Sequence, residues 1–216
     1  MDSSLPTRLG PHRGKRGSPR CERCALPPDL CMCRETTALA LETRVVVFAH
    51  RREVHKTTNT ARLVPLALSN AEVRVVGRDE DRRAYEQHAA PHSCALVLYP
   101  TPDSRPLTRE LALAGPVTLL VPDGNWRQAF KIANKEQALA RLPHVHLPDG
   151  PPSSYALRTH PEPRYLATFE AIARALGILE GEAVQRALEE VLARKVERTL
   201  WTRKRPPSSA VHAPGA

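Results

Sequence analysis

Short, continuously apolar segments alternate with segments of helical character, and this alternation constrains the fold more than any other feature of the chain. Candidate strands occupy residues 44–49, 73–76, 94–100 and 117–121, with a shorter one at 144–147. Helices are predicted at residues 59–69, 79–89, 107–114, 125–139, 168–179 and 182–201. Apolar strands separated by helices are typical of a parallel sheet covered on both faces. The sequence therefore predicts an α/β fold with a mostly parallel sheet flanked by helices, in which ligands bind beyond the carboxyl ends of the strands.

The formal net charge of +9 is concentrated at the two ends of the chain. Residues 1–20 and residues 198–216 each carry a net charge of +4, which leaves only +1 for residues 21–197. The composition of the ends predicts disordered basic tails at 1–20 and 206–216 around a folded α/β domain over 36–205. Basic tails occur on proteins that bind RNA or DNA, but they also aid solubility, so charge alone does not decide the function.

No segment approaches the roughly 18 consecutive apolar residues of a membrane span. The first residues contain arginines but lack the apolar core of a secretory signal. We therefore expect a cytoplasmic protein that is neither inserted in a membrane nor secreted. The sequence does not specify an oligomeric state.

Four cysteines lie within thirteen residues, in the order Cys21, Cys24, Cys31 and Cys33. Four thiolates suit a tetrahedral zinc ion in a structural site without an open coordination position. Two disulfides or an iron–sulfur cluster are the alternatives, although disulfides are rare where no export signal is present. The sequence predicts a small zinc knuckle over residues 21–35. Cys94 lies inside a predicted strand, where we expect an inert core thiol.

A basic cluster follows the first predicted strand. Within a short stretch it contains one histidine and four fixed positive charges: His50, Arg51, Arg52, Lys56 and Arg62. At the end of a strand, such residues can bind phosphates through charge and through bidentate arginine contacts. A solvated loop without a ligand is the alternative interpretation.

The segment after residue 121 combines a tight turn with the start of a helix. Asp123 and Gly124 form the turn, Asn125 can cap the helix, and Trp126 begins it. Gly124 allows close approach of a ligand to the backbone, and the helix N-terminus can bind an anion. Asp123 can accept a proton or orient a cation. Two cations one turn apart on the same helix can bind phosphate: Arg127 and Lys131. An ordinary strand–turn–helix connection is the alternative, because Asp-Gly turns are common.

Five segments, taken in order, resemble the motifs of the DTW-domain family. They are RCERCALPPDLCMC (20–33), HRREVHKTTNTARL (50–63), LVLYP (96–100), DGNW (123–126) and ATFEAIARAL (167–176). Together they cover about residues 20–200. The resemblance implies a SPOUT-like sheet with a C-terminal trefoil knot and transfer of a 3-amino-3-carboxypropyl group from S-adenosylmethionine to N3 of a tRNA uridine. Two departures are Asn125, where the family has threonine, and Arg51, where the family has proline.

The resemblance also implies roles for individual residues. Asp123 would be the base that takes the uridine N3 proton, or would hold the amino group of S-adenosylmethionine, and Trp126 would pack on adenine or on the target base. The implied cofactor pocket comprises Tyr99, Pro100, Asp123, Gly124, Asn125, Trp126, Thr168 and Glu170. The implied RNA-binding residues are His50, Arg51, Arg52, Lys56, Arg62, Arg127 and Lys131. Two alternatives remain: an S-adenosylmethionine-dependent RNA methyltransferase on the same scaffold, and a zinc-anchored RNA-binding protein without catalysis.

Overall fold

The computed structural model describes residues 12–13, 19–78, 85, 93–157 and 165–204. The predicted helix at 79–89, apart from Tyr85, and the predicted tail at 206–216 lie outside the described residues, as does most of the segment 1–20. Within that segment, strands β1 (His12–Arg13) and β2 (Pro19–Arg20) form a short antiparallel pair.

A six-stranded parallel sheet forms the centre of the domain and confirms the predicted α/β class. Its strands are β3 (Arg44–His50), β4 (Ala71–Val76), β5 (Cys94–Leu98), β6 (Arg105–Pro106), β7 (Val117–Asp123) and β8 (His144–His146). The spatial order is β4-β3-β7-β5-β8-β6, and every neighbouring pair is parallel. The two-residue strand β6 was not predicted, because Arg105 and Pro106 are exposed and carry no apolar pattern.

Six helices accompany the sheet in the part of the chain that the structure describes. They are Val64–Ala67, Glu110–Leu113, Trp126–Lys135, Gln137–Ala140, Thr168–Glu180 and Glu182–Lys204. Pro28–Leu30 and Ala61–Leu63 form 3-10 turns. Among the described helices, none combines the length and apolarity needed to cross a membrane.

Three predicted helices differ from those observed. The helix predicted at 107–114 is limited to Glu110–Leu113. The helix predicted at 59–69 is a 3-10 turn followed by the four-residue helix Val64–Ala67, with Pro65 in its first turn. Proline is tolerated there because the first N–H groups of a helix lack acceptors, but it cannot lie deeper in a helix. The helix predicted at 125–139 is interrupted at Glu136, whose backbone is extended, with φ −79° and ψ 112°.

The core lies on both faces of the sheet. In β3, Val45, Val47 and Ala49 face one apolar cluster, while Val46 and Phe48 face the other. This alternation, with both faces buried, explains why the strand reads as continuously apolar. Cys94 corrects one prediction: it is exposed rather than a core thiol, because it is the first residue of β5, before the buried part of that strand.

The position of β7 determines where a ligand site can form. This strand lies between β3 and β5, although it follows both in sequence. Ala49 near the end of β3 pairs with Asp123 at the end of β7. In parallel sheets, ligands bind at such a point, where the order of strands along the chain reverses.

Candidate functional site at the carboxyl end of β7

Asp123 is the central side chain of the site. It is the last residue of β7 and only 5% exposed. Asn59 Nδ2 donates a hydrogen bond of 2.7 Å to Asp123 Oδ2, and Thr168 Oγ1 donates one of 2.5 Å to Asp123 Oδ1. Hydrogen bonds donated to a carboxylate favour its ionised form and fix its orientation.

Asn59 has an unused hydrogen-bonding atom beside this carboxylate. Its residue is 3% exposed, and its Oδ1 is buried without a hydrogen-bond partner. A buried polar atom without a partner is unfavourable by about 1–3 kcal/mol, so such atoms are rare in native proteins unless a ligand or water completes them. The Asn59 carbonyl therefore offers an acceptor for an N–H or O–H group at this site.

The turn after β7 is shaped by a reciprocal cap. Gln128 N donates to Asn125 Oδ1 at 3.0 Å, and Asn125 N donates to Gln128 Oε1 at 2.8 Å. A Cβ on Gly124 would lie 2.7 Å from Gln128 Cβ, so glycine is required for this closure. Asn125 thus replaces the family threonine as a competent N-cap, but its amide oxygen is occupied by Gln128.

Three aromatic rings lie next to the turn. The ring centroid of Trp126 is 5.7 Å from that of Tyr99 and 4.4 Å from that of Tyr165. Tyr99 is buried, and burial raises the pKa of its phenol, so its hydroxyl stays protonated at neutral pH. Trp126 is 43% exposed, which leaves part of its indole available to a flat ligand. Pro100, which follows Tyr99, is exposed.

Glu170, which the resemblance places in the cofactor pocket, is buried and hydrogen-bonded to other parts of the protein. Its carboxylate is 2% exposed and accepts hydrogen bonds from Ser153 Oγ at 2.6 Å and from Ser154 N at 2.8 Å. Ala167 N also donates to it at 3.3 Å, across the first turn of the helix Thr168–Glu180. Glu170 therefore holds the 153–154 loop against this helix, and its contact with a cofactor stays a prediction.

The basic cluster lies at the same edge of the sheet as Asp123. Arg51 and Arg52 follow β3 directly and are exposed, and Arg51 Nε donates to the Gly77 carbonyl at 3.2 Å. Lys56 is also exposed and forms an ion pair of 2.5 Å with the buried Glu53. Burial and the charges of Arg52 and Arg51 lower the pKa of His50, so this histidine is neutral at pH 7. The arginines, rather than His50, supply the positive charge of this edge.

Arg62 is not on the surface, where the charge pattern predicted it. It is 1% exposed, and its guanidinium donates to the carbonyls of Val54 and of Glu22, the latter at 3.0 Å. Direct contact with an RNA phosphate would require this side chain to leave the interior. Charge in a sequence does not by itself show on which side of a turn an arginine lies.

The four cysteines of the N-terminal segment converge. The sulfur atoms of Cys21, Cys24, Cys31 and Cys33 all lie within 4.8 Å of one another, so one metal ion can contact all four. A hydrogen bond from Cys33 lowers the pKa of Cys24, and the same contact raises the pKa of Cys33. Thiolates this close together repel one another, whereas a divalent cation can bind four of them at once.

Basic side chains from distant parts of the chain surround this cysteine cluster. Lys195, 1% exposed, donates from Nζ to the Cys24 carbonyl at 2.6 Å. Arg198 donates to the Cys31 carbonyl at 3.3 Å and forms an ion pair with Glu35 at 2.6 Å. Burial lowers the pKa of Lys195 to about 8, and the thiolate charge of Cys24 opposes this shift. The helix Glu182–Lys204 therefore holds the cluster with cations that suit a negatively charged metal–thiolate centre.

Taken together, the fold and the two clusters define a parallel α/β domain with a candidate ligand site at the end of its central strand and a cysteine cluster bound to its last helix. The DTW domain matches residues 18–200, and the chain belongs to the DTW-domain family. No solved structure matches the chain.

Three named relatives show how far the similarity extends. The chain is 33% identical over 170 residues to tRNA-uridine aminocarboxypropyltransferase 2 of Drosophila melanogaster, covering 74% of this chain and 66% of the relative. The protein of the same name from Mus musculus is 32% identical over 188 residues, with coverages of 83% and 61%. tRNA-uridine aminocarboxypropyltransferase A of Arabidopsis thaliana is 25% identical over 213 residues, with coverages of 82% and 79%. The chain thus spans just under two thirds of the length of the two animal relatives.

The structure adds residues to the site that the motifs alone did not assign. Asn59 lies in the segment that resembles the family's Asn-Thr-x-x-Leu motif. The charge pattern of this segment points to its arginines and Lys56 and not to the Asn59 amide. Thr60 Oγ1 accepts a hydrogen bond of 3.2 Å from Phe169 N, which joins this segment to the helix that carries Thr168. Tyr165 comes from an irregular stretch, where no periodicity marks it. Lys195 is a buried cation of the helix Glu182–Lys204, and the apolar stripe of that helix does not indicate its burial.

Proposed function

We propose that this protein transfers the 3-amino-3-carboxypropyl group from S-adenosylmethionine to N3 of a uridine in tRNA. The observation that carries the proposal is the buried Asp123 carboxylate at the end of the central strand, fixed by Asn59 and Thr168. Membership in the DTW-domain family and the names of its relatives support the same activity. The alignments cover 66% and 61% of the two animal relatives, so the names of these relatives support the activity of this chain without establishing it.

The residues at the end of β7 suit the donor in two respects. Asp123 provides a negative charge and Asn59 Oδ1 an acceptor without a partner, and an ammonium group can satisfy both. The partly exposed Trp126, packed against Tyr99 and Tyr165, provides an aromatic surface for a purine. Tyr99, Pro100, Gly124, Asn125, Thr168 and Glu170 complete the proposed cofactor pocket.

The reaction needs positioning more than covalent help from the protein. The sulfonium of the donor activates each carbon bonded to sulfur. Uridine N3 gives up its proton, to Asp123 or to water, and forms a bond to the propyl carbon next to sulfur, and the carbon–sulfur bond breaks with its electron pair left on sulfur, giving 5′-methylthioadenosine. Asp123 either accepts that proton or holds the donor's ammonium group while water takes the proton. The two hydrogen bonds that Asp123 accepts favour the second role, because they stabilise the ionised carboxylate. Which carbon reacts depends on the side chains that orient the donor.

Cys21, Cys24, Cys31 and Cys33 would hold a structural zinc ion in this proposal. Their sulfurs converge, and Lys195 of the last helix donates to the Cys24 carbonyl beside them. Zinc would cross-link the N-terminal segment to the domain without an open coordination position, so we assign it no chemical step. An iron–sulfur cluster uses the same four ligands, and elemental analysis for zinc and iron distinguishes the two centres.

For tRNA, the proposed contacts are the exposed arginines after β3, together with His50, Lys56, Arg127 and Lys131. We further propose that residues 21–35 form the knuckle, that residues 36–205 form the catalytic domain with basic tails at 1–20 and 206–216, and that the C-terminal part forms the SPOUT-type trefoil knot. The insertion of β7 between β3 and β5 and the return of Thr168 to the end of β7 are compatible with such a path. We keep a cytoplasmic location as a prediction, because free thiols persist in reducing compartments.

The test is to incubate the purified protein with S-adenosylmethionine and unmodified tRNA, digest the RNA, and analyse the nucleosides by mass spectrometry. Uridine that carries the mass of a 3-amino-3-carboxypropyl group is the expected product, together with 5′-methylthioadenosine. Uridine that carries a methyl group would identify the methyltransferase alternative. A protein that binds tRNA but not S-adenosylmethionine would be the non-catalytic RNA binder.

A further inference from the structure

The solvent-facing side of the helix Trp126–Lys135 carries two parallel rows of side chains. Trp126 and Phe130, four residues apart, are 43% and 47% exposed. Arg127 and Lys131, also four residues apart and exposed, form the adjacent row. Residues at this spacing lie on one face of a helix, with Cβ atoms about 5–6 Å apart.

The exposure of Phe130 is unusual for this chain. The chain has nine Phe, Trp and Tyr residues in total. Among the residues that the structure describes, the large aromatic side chains that are exposed are Trp126, Phe130 and Trp201. Two of these three are therefore neighbours on one helix. Single exposed apolar residues are common, but adjacent ones mark an interaction surface.

The charge of this helix indicates what kind of partner the surface fits. The helix contains Arg127, Lys131 and Lys135 and no acidic residue. Proteins that bind single-stranded nucleic acid combine a positively charged track for the phosphates with aromatic rings on which bases stack. A protein partner would also cover apolar rings, but a helix whose charged side chains are all cations favours a polyanion.

We propose that Phe130 stacks on an unpaired nucleotide of tRNA next to the modified uridine, beside the Trp126 ring proposed for the donor's purine, while Arg127 and Lys131 hold the phosphates. The surface starts at the site itself, because Trp126 contacts Tyr99 and Tyr165 and lies three residues after Asp123. Phe130 is one turn further from the site and extends the surface outward. The proposal rests on the proposed function, which supplies tRNA as the partner.

The experiment compares three substitutions of Phe130 in the full chain, with Leu113→Ala as the matched control. Leu113 is 78% exposed but lies just before β7 begins, at the opposite end of that strand from the site. Phe130→Ala and Phe130→Leu are expected to weaken binding of unmodified tRNA by about 5-fold to 100-fold, whereas Phe130→Tyr retains affinity, because stacking requires an aromatic ring. Leu113→Ala leaves tRNA affinity unchanged, and all four variants bind S-adenosylmethionine as the parent protein does.

Fluorescence provides a second readout, because the chain contains two tryptophans. In a Trp201→Phe background, Trp126 is the sole reporter, and tRNA binding is expected to quench its emission. Equal tRNA affinity of Phe130→Ala and the parent, or full affinity of Phe130→Leu, would overturn the proposal. Loss of self-association or of a protein complex in Phe130→Ala, with tRNA affinity intact, would assign the surface to protein contact instead. If the Phe130 substitutions weaken tRNA binding but the parent protein modifies no uridine, only the proposed function is rejected.

Discussion

The cysteine cluster and the Asp123 site both bury ionisable groups, but they leave opposite hydrogen-bonding capacity unused. Beside the cluster, Arg20 Nε is a buried donor without an acceptor, and cations from the last helix donate to backbone carbonyls of the cysteine segment. At the Asp123 site, Asn59 Oδ1 is a buried acceptor without a donor, next to a carboxylate. The first arrangement suits a negatively charged centre, and the second suits a ligand that donates N–H groups or carries positive charge.

The two regions also differ in what their long-range contacts achieve. At the cluster, Lys195 and Arg198 bind backbone carbonyls of the knuckle across more than 160 residues of sequence, which fixes one segment on another. At the site, Asn59 and Thr168 converge on a single functional group from 64 and 45 residues away. The cluster is therefore expected to determine stability, and the site to determine activity.

The largest expected effect is on catalysis. Asp123→Ala removes the carboxylate that either takes the N3 proton or holds the donor's ammonium, and we expect the transfer rate to fall by about 10²-fold to 10⁴-fold. The fold should stay intact, with the melting temperature lowered by only a few degrees, because Asn59 and Thr168 lose one acceptor each. The measurement is a single-turnover assay of tRNA modification beside a thermal melt. Turnover near that of the parent protein would exclude Asp123 from the mechanism.

The cysteine cluster should show the reverse pattern. Replacing both Cys31 and Cys33 by Ser is expected to remove the bound metal and to lower the free energy of unfolding by several kcal/mol, because structural metal binding is coupled to folding. Elemental analysis and denaturant unfolding measure the two effects. The exposed Cys94→Ser serves as the control and should change neither. Unchanged zinc content in the double variant would disprove the ligand assignment.

The contrast also shows which features local sequence encodes. Strands β3 and β7 were predicted within two residues of their observed ends, since strands buried on both faces are continuously apolar. Asp123, Gly124 and Trp126 were predicted as site residues because one local turn contains all three. Asn59, which donates to Asp123, was not predicted as a site residue, because this contact spans 64 residues of sequence and leaves no periodic pattern.

Burial of charge was the other limit of prediction. Arg62 was grouped with its charged neighbours as a phosphate ligand, yet the 3-10 turn Ala61–Leu63 directs it inward to the Glu22 carbonyl. Glu170 was placed in the cofactor pocket, yet its oxygens bind the 153–154 loop. In both cases the residue type indicated a charged group near the site, but only the packing of distant segments determined which atoms it contacts.

A smaller effect is expected at Asn59, and it separates orientation from direct chemistry. Asn59→Ala removes both the hydrogen bond to Asp123 and the unpaired acceptor, and we expect S-adenosylmethionine to bind about 10-fold to 100-fold more weakly. The affinity for 5′-methylthioadenosine, which lacks the aminocarboxypropyl group, should change much less. Calorimetric titration with both ligands measures this difference. An equal loss for the two ligands would indicate that Asn59 only supports the local structure.

The smallest expected effect concerns the exposed edge, where charge acts through solvent. Arg51→Ala combined with Arg52→Ala should weaken tRNA binding and reduce the slope of log affinity against log salt by roughly 1.5 to 2, the value for two lost phosphate contacts. Arg186→Ala removes an exposed arginine on the helix Glu182–Lys204, where its partner is Glu182, and serves as a matched control. The transfer rate at saturating tRNA should be retained, because both arginines lie outside the hydrogen bonds that fix Asp123. Unchanged affinity and slope in the double variant would refute the phosphate role and restrict RNA binding to other surfaces, among which the helix Trp126–Lys135 would be the first to test.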